Sequence, residues 1–290
     1  MVFFGIFDKI TNYIKDGIID GIGKILSGIF DSINEDLIGI SNNISVAPDT
    51  WNTSIWEFVK NISTLVILPV AALIIAAILV MEYVQLAESK NNLKEIDVID
   101  VLKPLFKFII ALMFVKNCTK IFLFAFKIGE KIITDAKPYL NEAAKFDDSY
   151  LSTIKETLKE NSVGSLMVTY VELLIVRLAV YIISIAIHVI IYGRIIEIYL
   201  MGAIAPIPVA SITSQNHNWN IGNNYLKNLG ALALQGFLIM LCVTIFAILV
   251  KSIDYTNAMK AVWSVLGYAV LLVVTMLKTG SLAKSIFNTH

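Results

Sequence analysis

Arginine is almost missing. Of 23 basic residues only Arg177 and Arg194 are arginines, and 23 acidic residues bring the formal charge to +0. Such a chain has no global field to attract nucleic acid or an acidic surface, so every electrostatic argument about it is local. Cysteine is scarce too: Cys118 and Cys242 lie far apart inside apolar stretches, which excludes a disulfide framework and a paired-cysteine metal site. The three histidines, His188, His217 and His290, are too scattered in sequence to share a metal ion. There is no HExxH, no GxSxG elbow and no pair of acids at the depth an intramembrane protease uses, so catalysis is disfavoured and no cofactor is called for. The fragment DGIGKIL imitates a phosphate loop only superficially, because Ile18 stands five residues before Gly23 and no Ser or Thr follows Lys24.

What the chain does have is apolar mass. Hydrophobic residues make up 57% and charged residues 16%, against about 45–50% and about 25% in a soluble domain. Residues 61–81 carry no charge, and a helix of that length crosses a hydrocarbon core of about 30 Å. With the residues that follow, this span is expected near 61–86, with a bend at Pro69. Residues 228–250 and 261–277 read as two further spans. The short polar link between them implies an antiparallel hairpin. A fourth is expected at 166–193, and a sharply kinked or re-entrant segment at 195–213, where Pro206 and Pro208 remove backbone donors and break the helix. The fold class expected is all-α: a polytopic helical membrane protein with five or six transmembrane or re-entrant helices. The N-terminus lacks the pattern of a cleaved secretory signal, so insertion without cleavage is expected.

Residues 1–57 form the other expected region, an amphipathic N-terminal helical segment preceding the transmembrane part, 58–290. Apolar positions repeat from Phe3 through Ile22, Ile25 and Ile29 to Ile33, opposite Asp8, Lys15, Asp20, Lys24 and Asp31. Gly17, Gly21 and Gly28 lower its intrinsic helicity and allow another helix to come close. A charged extramembrane loop with one short helix is expected at 134–162, and Trp219 in the polar stretch after the prolines is placed like an interfacial anchor.

Two polar stripes interrupt the apolar pattern. A further span is expected at 105–131, where a single helix would place Lys116, Lys120, Lys127 and Lys131 within about 60° of one another. Ammonium groups in an apolar run snorkel, pair or face water. These lysines therefore snorkel, or lie on a short helix pair joined at KNCTK, or form a face turned toward an aqueous path and an anionic substrate or partner. In the fourth span Tyr170, Arg177, Tyr181, Ser184 and His188 share a face. Glu172 stands about 140° from Arg177, so each requires a partner on another helix. Together Tyr170, Glu172, Arg177, Tyr181 and His188 form a candidate intramembrane polar clamp. Arg194 and Glu197, at i and i+3, read most simply as an exposed pair.

The block RIIEIYLMGAIAPIPVASITSQNHNWNIGNNYLKNLGALALQGFLIML is where a family likeness enters. An apolar segment ends in the break Ala205 to Ser211, passes a polar turn and enters a Gly/Ala/Leu-rich helix from Gly230 to Gly236. This resembles the TrbL-like (VirB-six type) polytopic inner-membrane subunits of conjugative type IV secretion systems, and the Lys-rich, Arg-poor composition resembles their Gram-positive branch. The resemblance implies a non-enzymatic, multi-pass component of the bacterial cytoplasmic membrane. Its implied partners are other secretion subunits, further copies of itself, the lipid bilayer and single-stranded DNA in transit. Two rivals use the same residues differently. A secondary transporter or ion channel would employ the proline break with Glu172, Arg177 and His188, and a membrane-perturbing or immunity protein would act through its amphipathic N-terminus.

Overall fold

The computed structural model describes residues 2–89, 97–141, 149–212, 221–254 and 258–289. Every regular element among them is helical: α1 (Val2–Ile44), α2 (Pro48–Trp51), α3 (Thr53–Asn61), a π-helical turn (Ile62–Ile67), α4 (Leu68–Ser89), α5 (Val98–Lys116), α6 (Cys118–Asn141), α7 (Ser149–Lys159), α8 (Val163–Ile204), α9 (Pro206–Ala210), α10 (Ile221–Lys251) and α11 (Ala258–Ile286). Four continuous stretches are long and apolar enough to cross a membrane: Thr53–Glu88, Val163–Ile204, Ile221–Lys251 and Met259–Ile286. Large apolar side chains such as Leu65, Leu73, Ile182, Leu200, Ile248 and Leu277 point outward along them. That arrangement suits a hydrocarbon solvent, and the chain is a helical membrane protein.

Local chemistry explains most boundaries. Ala47 is extended because a residue before proline is pushed out of the helical region, and Pro48 then opens α2 at a position that needs no N–H. Asn52 caps α3 by accepting from the Ile55 N–H at 3.0 Å. Pro69 does not break the first span. The chain widens into the π turn Ile62–Ile67 immediately before it and continues as α4, a known way to absorb a register change inside a helix.

Two expected segments take a different form. The stretch 105–131 is not one long helix but the helix pair joined at KNCTK: α5 ends at Lys116 and α6 starts at Cys118. Asn117 leaves helical geometry, with φ −104° and ψ 11°, and its side-chain Nδ2 donates to the Met113 carbonyl at 2.8 Å while its own carbonyl accepts from Lys120 N and Ile121 N. An Asn side chain competing for backbone carbonyls ends one helix and starts the next. Conversely, 166–193 and the front of 195–213 are one helix, α8, of 42 residues. Nothing between Gly164 and Ala205 breaks it. Gly193 has open space around it and is accommodated without a bend residue beside it. Only after Ala205 do Pro206 and Pro208 end the run, giving the five-residue α9 and a turn at Ser211.

The packing falls into two units. The first comprises Met1–Ile44, Asp135–Ile191 and Leu238–Thr279. Here α1 is one 43-residue helix, and its stripe Ile22, Leu26, Ile29, Ile33, Leu37 and Ile40 is buried. Toward the start Ile10 and Ile14 are exposed, so the apolar repeat continues beyond the part that is covered. The second unit comprises Ser45–Thr134, Tyr192–Phe237 and Gly280–His290. In it α9 packs against α4 and α5. Glu82 on α4 holds Lys107 on α5 through both carboxylate oxygens, at 3.2 and 3.3 Å. Gly230 faces Phe287 and Gly280 faces Gln235, so α10 and α11 run antiparallel there. At Gly129 a Cβ would lie 3.0 Å from the Ala233 carbonyl oxygen, the kind of helix–helix approach only a glycine allows.

Candidate functional site

The break at Asn117 redistributes the lysines. Lys120, Lys127 and Lys131 share one face of α6, since steps of seven and eleven residues return to within about 20° of the start. Lys116 stands across the break, at the end of α5. All four are exposed. Lys127 approaches Asp49 at 3.5 Å, but more than half of its side chain is accessible, so the pair contributes little. Among the described residues Lys116, Lys120 and Lys131 make no ion pair. The charges along α5 and α6 also explain why neither is among the four helices suited to spanning.

In the first unit the polar face of α8 is laid along α1. Gly21 meets the Tyr170 ring, where a Cβ would stand 3.1 Å away. Arg177 and Tyr181 line a groove with Gly28 and Ser32. One and a half turns further along, the Ser184 hydroxyl donates to Asp36 at 2.8 Å, and His188 Nδ1 lies 3.8 Å from the same carboxylate oxygen. The two helices therefore run parallel at this seam. Of Gly17, Gly21 and Gly28 only Gly21 uses its missing side chain within the chain, since Gly17 and Gly28 have open space around them. Glu172 and Arg177 do not pair with each other or with another charged side chain among the described residues.

Ser184, His188 and Asp36 do not make a nucleophile. The serine hydrogen is directed at the carboxylate, and the imidazole nitrogen faces the Ser184 carbonyl at 2.9 Å, so no base is placed to activate the hydroxyl. The seam is a latch instead. Burial raises the Asp36 carboxyl above the ordinary range; the Ser184 hydrogen bond and the charge of His188 oppose this, and Glu35 adds to it. A carboxyl with a raised value in the folded state binds its proton more tightly there than when undocked. Docking of α1 is therefore favoured on the acid side and weakens as pH rises through the raised value. Proteolysis or hydrogen exchange of α1 is expected to accelerate over that window, and Asp36→Asn to flatten the dependence. A dependence retained in Asp36→Asn would remove this carboxyl as its cause.

The second unit contains what sequence reasoning misread. Arg194 is not in an exposed pair: it is 7% accessible, its Nη2 donates to the Leu232 carbonyl at 3.0 Å, and its Nε has no partner. Glu197 turns instead toward Lys284 at 3.9 Å. Pro206 and Pro208 are buried, and the Ser211 hydroxyl bridges the Pro208 carbonyl and the Gly222 N–H, closing the turn that follows α9. Gly222 is required at that point, because a Cβ would come within 2.7 Å of the Pro208 oxygen. Tyr199 donates to the Pro48 carbonyl at 2.9 Å and Tyr225 to the Met201 carbonyl at 3.0 Å. His217, Trp219 and His290 lie outside the described residues, as does the middle of the 134–162 loop.

A family model described as TrbL/VirB6 plasmid conjugal transfer like protein matches residues 33–206, from the buried part of α1 to the proline break. The chain belongs to this TrbL/VirB6 family. It is thereby a conjugal transfer component, a structural subunit of a secretion system that works with other transfer subunits. No curated protein and no solved structure matches the chain. The matched segment includes α6, with its lysines, and the Asp36–Ser184 end of the seam between α1 and α8, while Gly21, Gly28 and Ser32 lie before it.

Proposed function

We propose that this TrbL/VirB6 protein is a non-enzymatic, multi-pass channel or scaffold subunit of the bacterial cytoplasmic membrane. It assembles with copies of itself and with other type IV secretion subunits to pass single-stranded DNA and its attached protein. The observation that carries the reading is the exposed α6 face of Lys120, Lys127 and Lys131, with Lys116 exposed across the break at the end of α5. A row of ammonium groups follows a phosphate backbone without reading bases, and its contacts weaken with salt.

The test is substitution of Lys116, Lys120, Lys127 and Lys131 by Gln together. Membrane insertion and protein level are expected to be unchanged, since exposed lysines contribute little to the fold. Mating frequency is expected to fall about tenfold or more, as phosphate contacts are lost. Unchanged mating at normal protein level would take the lysines out of the mechanism.

A further inference from the structure

The groove on the first unit has a composition that points to a ligand. It measures about 370 Å³ and is lined mostly by Ile29, Leu174, Leu178 and Val180, within the size range of small-molecule sites. Gly28 and Ser32 of α1 form one wall; Leu174, Arg177, Leu178 and Tyr181 of α8 form the other. Among the described residues that line it, the only charge is the exposed Arg177 guanidinium and there is no carboxylate. Residues 178–193, the longest stretch of α8 without an ionisable Asp, Glu, Lys or Arg, begin directly after it. That run measures about 24 Å, so when it fills most of a hydrocarbon core of about 30 Å, Arg177 stands at one edge of the core, at headgroup depth.

We propose that this groove binds an anionic phospholipid. The phosphodiester is held by paired N–H groups of Arg177 with the hydroxyls of Tyr181 and Ser32 in reach, and an acyl chain lies over Leu174 and Leu178. Guanidinium fits a phosphate's acceptor oxygens two at a time, and the weak hydration of the cation suits a site half in lipid. Charge complementarity selects the headgroup. A zwitterionic lipid brings its own cation, for which the groove has no acceptor carboxylate, whereas a glycerol-type headgroup leaves the phosphate charge to the arginine alone. Gly28 keeps the entrance open, since a side chain there would project into empty space.

The full-length protein in detergent is titrated with phosphatidylglycerol and with phosphatidylcholine of the same acyl chains, and bound lipid is counted by native mass spectrometry. Phosphatidylglycerol is expected to bind about tenfold or more tightly, the step that one charge-assisted contact supplies. Arg177→Gln is expected to erase the preference and Arg177→Lys to keep part of it. Gly28→Leu, which replaces a poor helix former and meets no neighbour, is expected to reduce binding of both lipids while the protein stays folded. Equal binding of the two lipids by the unchanged protein would overturn the proposal, as would an Arg177→Gln variant that keeps the preference. So would crosslinking of position 177 to an acidic residue of another transfer subunit, which would make a protein the occupant. The inference rests on the membrane placement of α8 and not on the lysine face, so loss of the conduit reading would leave this test unaffected.

Discussion

Phe122→Ala is expected to destabilise the second unit by about 3–5 kcal/mol, the usual cost of emptying an aromatic site in a packed core. Phe122 is 1% accessible and joins three elements. Its ring stacks on Trp56 of α3 with centroids 5.9 Å apart and planes within 14°. It also tilts against Phe126 at 4.9 Å and faces Gly202 of α8, where a Cβ would be 3.1 Å from the ring edge. In a membrane the transfer of apolar surface from water does not drive helix association, so what is lost is dispersion contact and the cavity left behind. A neighbour makes the control: Phe124 on the same helix is 66% accessible, and Phe124→Ala is expected to change stability by less than about 0.5 kcal/mol. Thermal unfolding in detergent, followed by the fluorescence of Trp56 against the other tryptophans, separates the two. Equal melting temperatures for the Phe122 and Phe124 variants would mean that the aromatic stack does not hold α3, α6 and α8 together.

How much of this was legible in the residues depends on the kind of signal. Three of the four spanning helices follow from charge-free length, and α8 from an apolar run broken only by Glu172 and Arg177, because a helix in lipid satisfies its own backbone and needs no tertiary information to be recognised. The polar face of α8 was also readable as a face, since Tyr170, Arg177, Tyr181, Ser184 and His188 are spaced by the helical period. What lies opposite was not. Asp36 reads as one more charge on an amphipathic helix until the parallel placement of α1 brings it to Ser184.

The failures are failures of local competition and of partnership. Asn117 sits in an apolar run where hydropathy continues smoothly, yet one side-chain amide bonded to the Met113 carbonyl ends α5 and moves Lys116 off the α6 face. The reverse error occurred in α8, where Arg194 and Glu197 looked like an edge and the helix passes through them. A charged pair at i and i+3 marks a surface only if neither side chain has a better acceptor, and here Leu232 offers one. Likewise Gly17, Gly21 and Gly28 are indistinguishable by spacing, and only the presence of Tyr170 beside Gly21 separates the close approach from the open positions.

Arg194→Met is the second large expectation, and its sign runs against intuition: stability is expected to rise by about 1–3 kcal/mol. The guanidinium is buried, makes one bond to a neutral carbonyl and leaves its Nε unpaired, while Glu197 faces Lys284. The charge of Glu197 offsets burial of the guanidinium only in part, so the cation bears most of its desolvation cost, and methionine of similar length fills the same space without it. Because the released partner is only a helix carbonyl, no orphaned charge remains to offset the gain. Arg194→Ala, which adds a cavity to the same charge removal, is expected to fall below the methionine variant by about 1–3 kcal/mol. Melting temperature in detergent and mating frequency are to be measured on the same variants. A stabler Arg194→Met protein that fails in mating would show that the arginine is kept for a contact made in the transfer assembly. A less stable one would show that the isolated chain already supplies a counter-charge, and would overturn the account of Arg194 as a buried, underpaired cation.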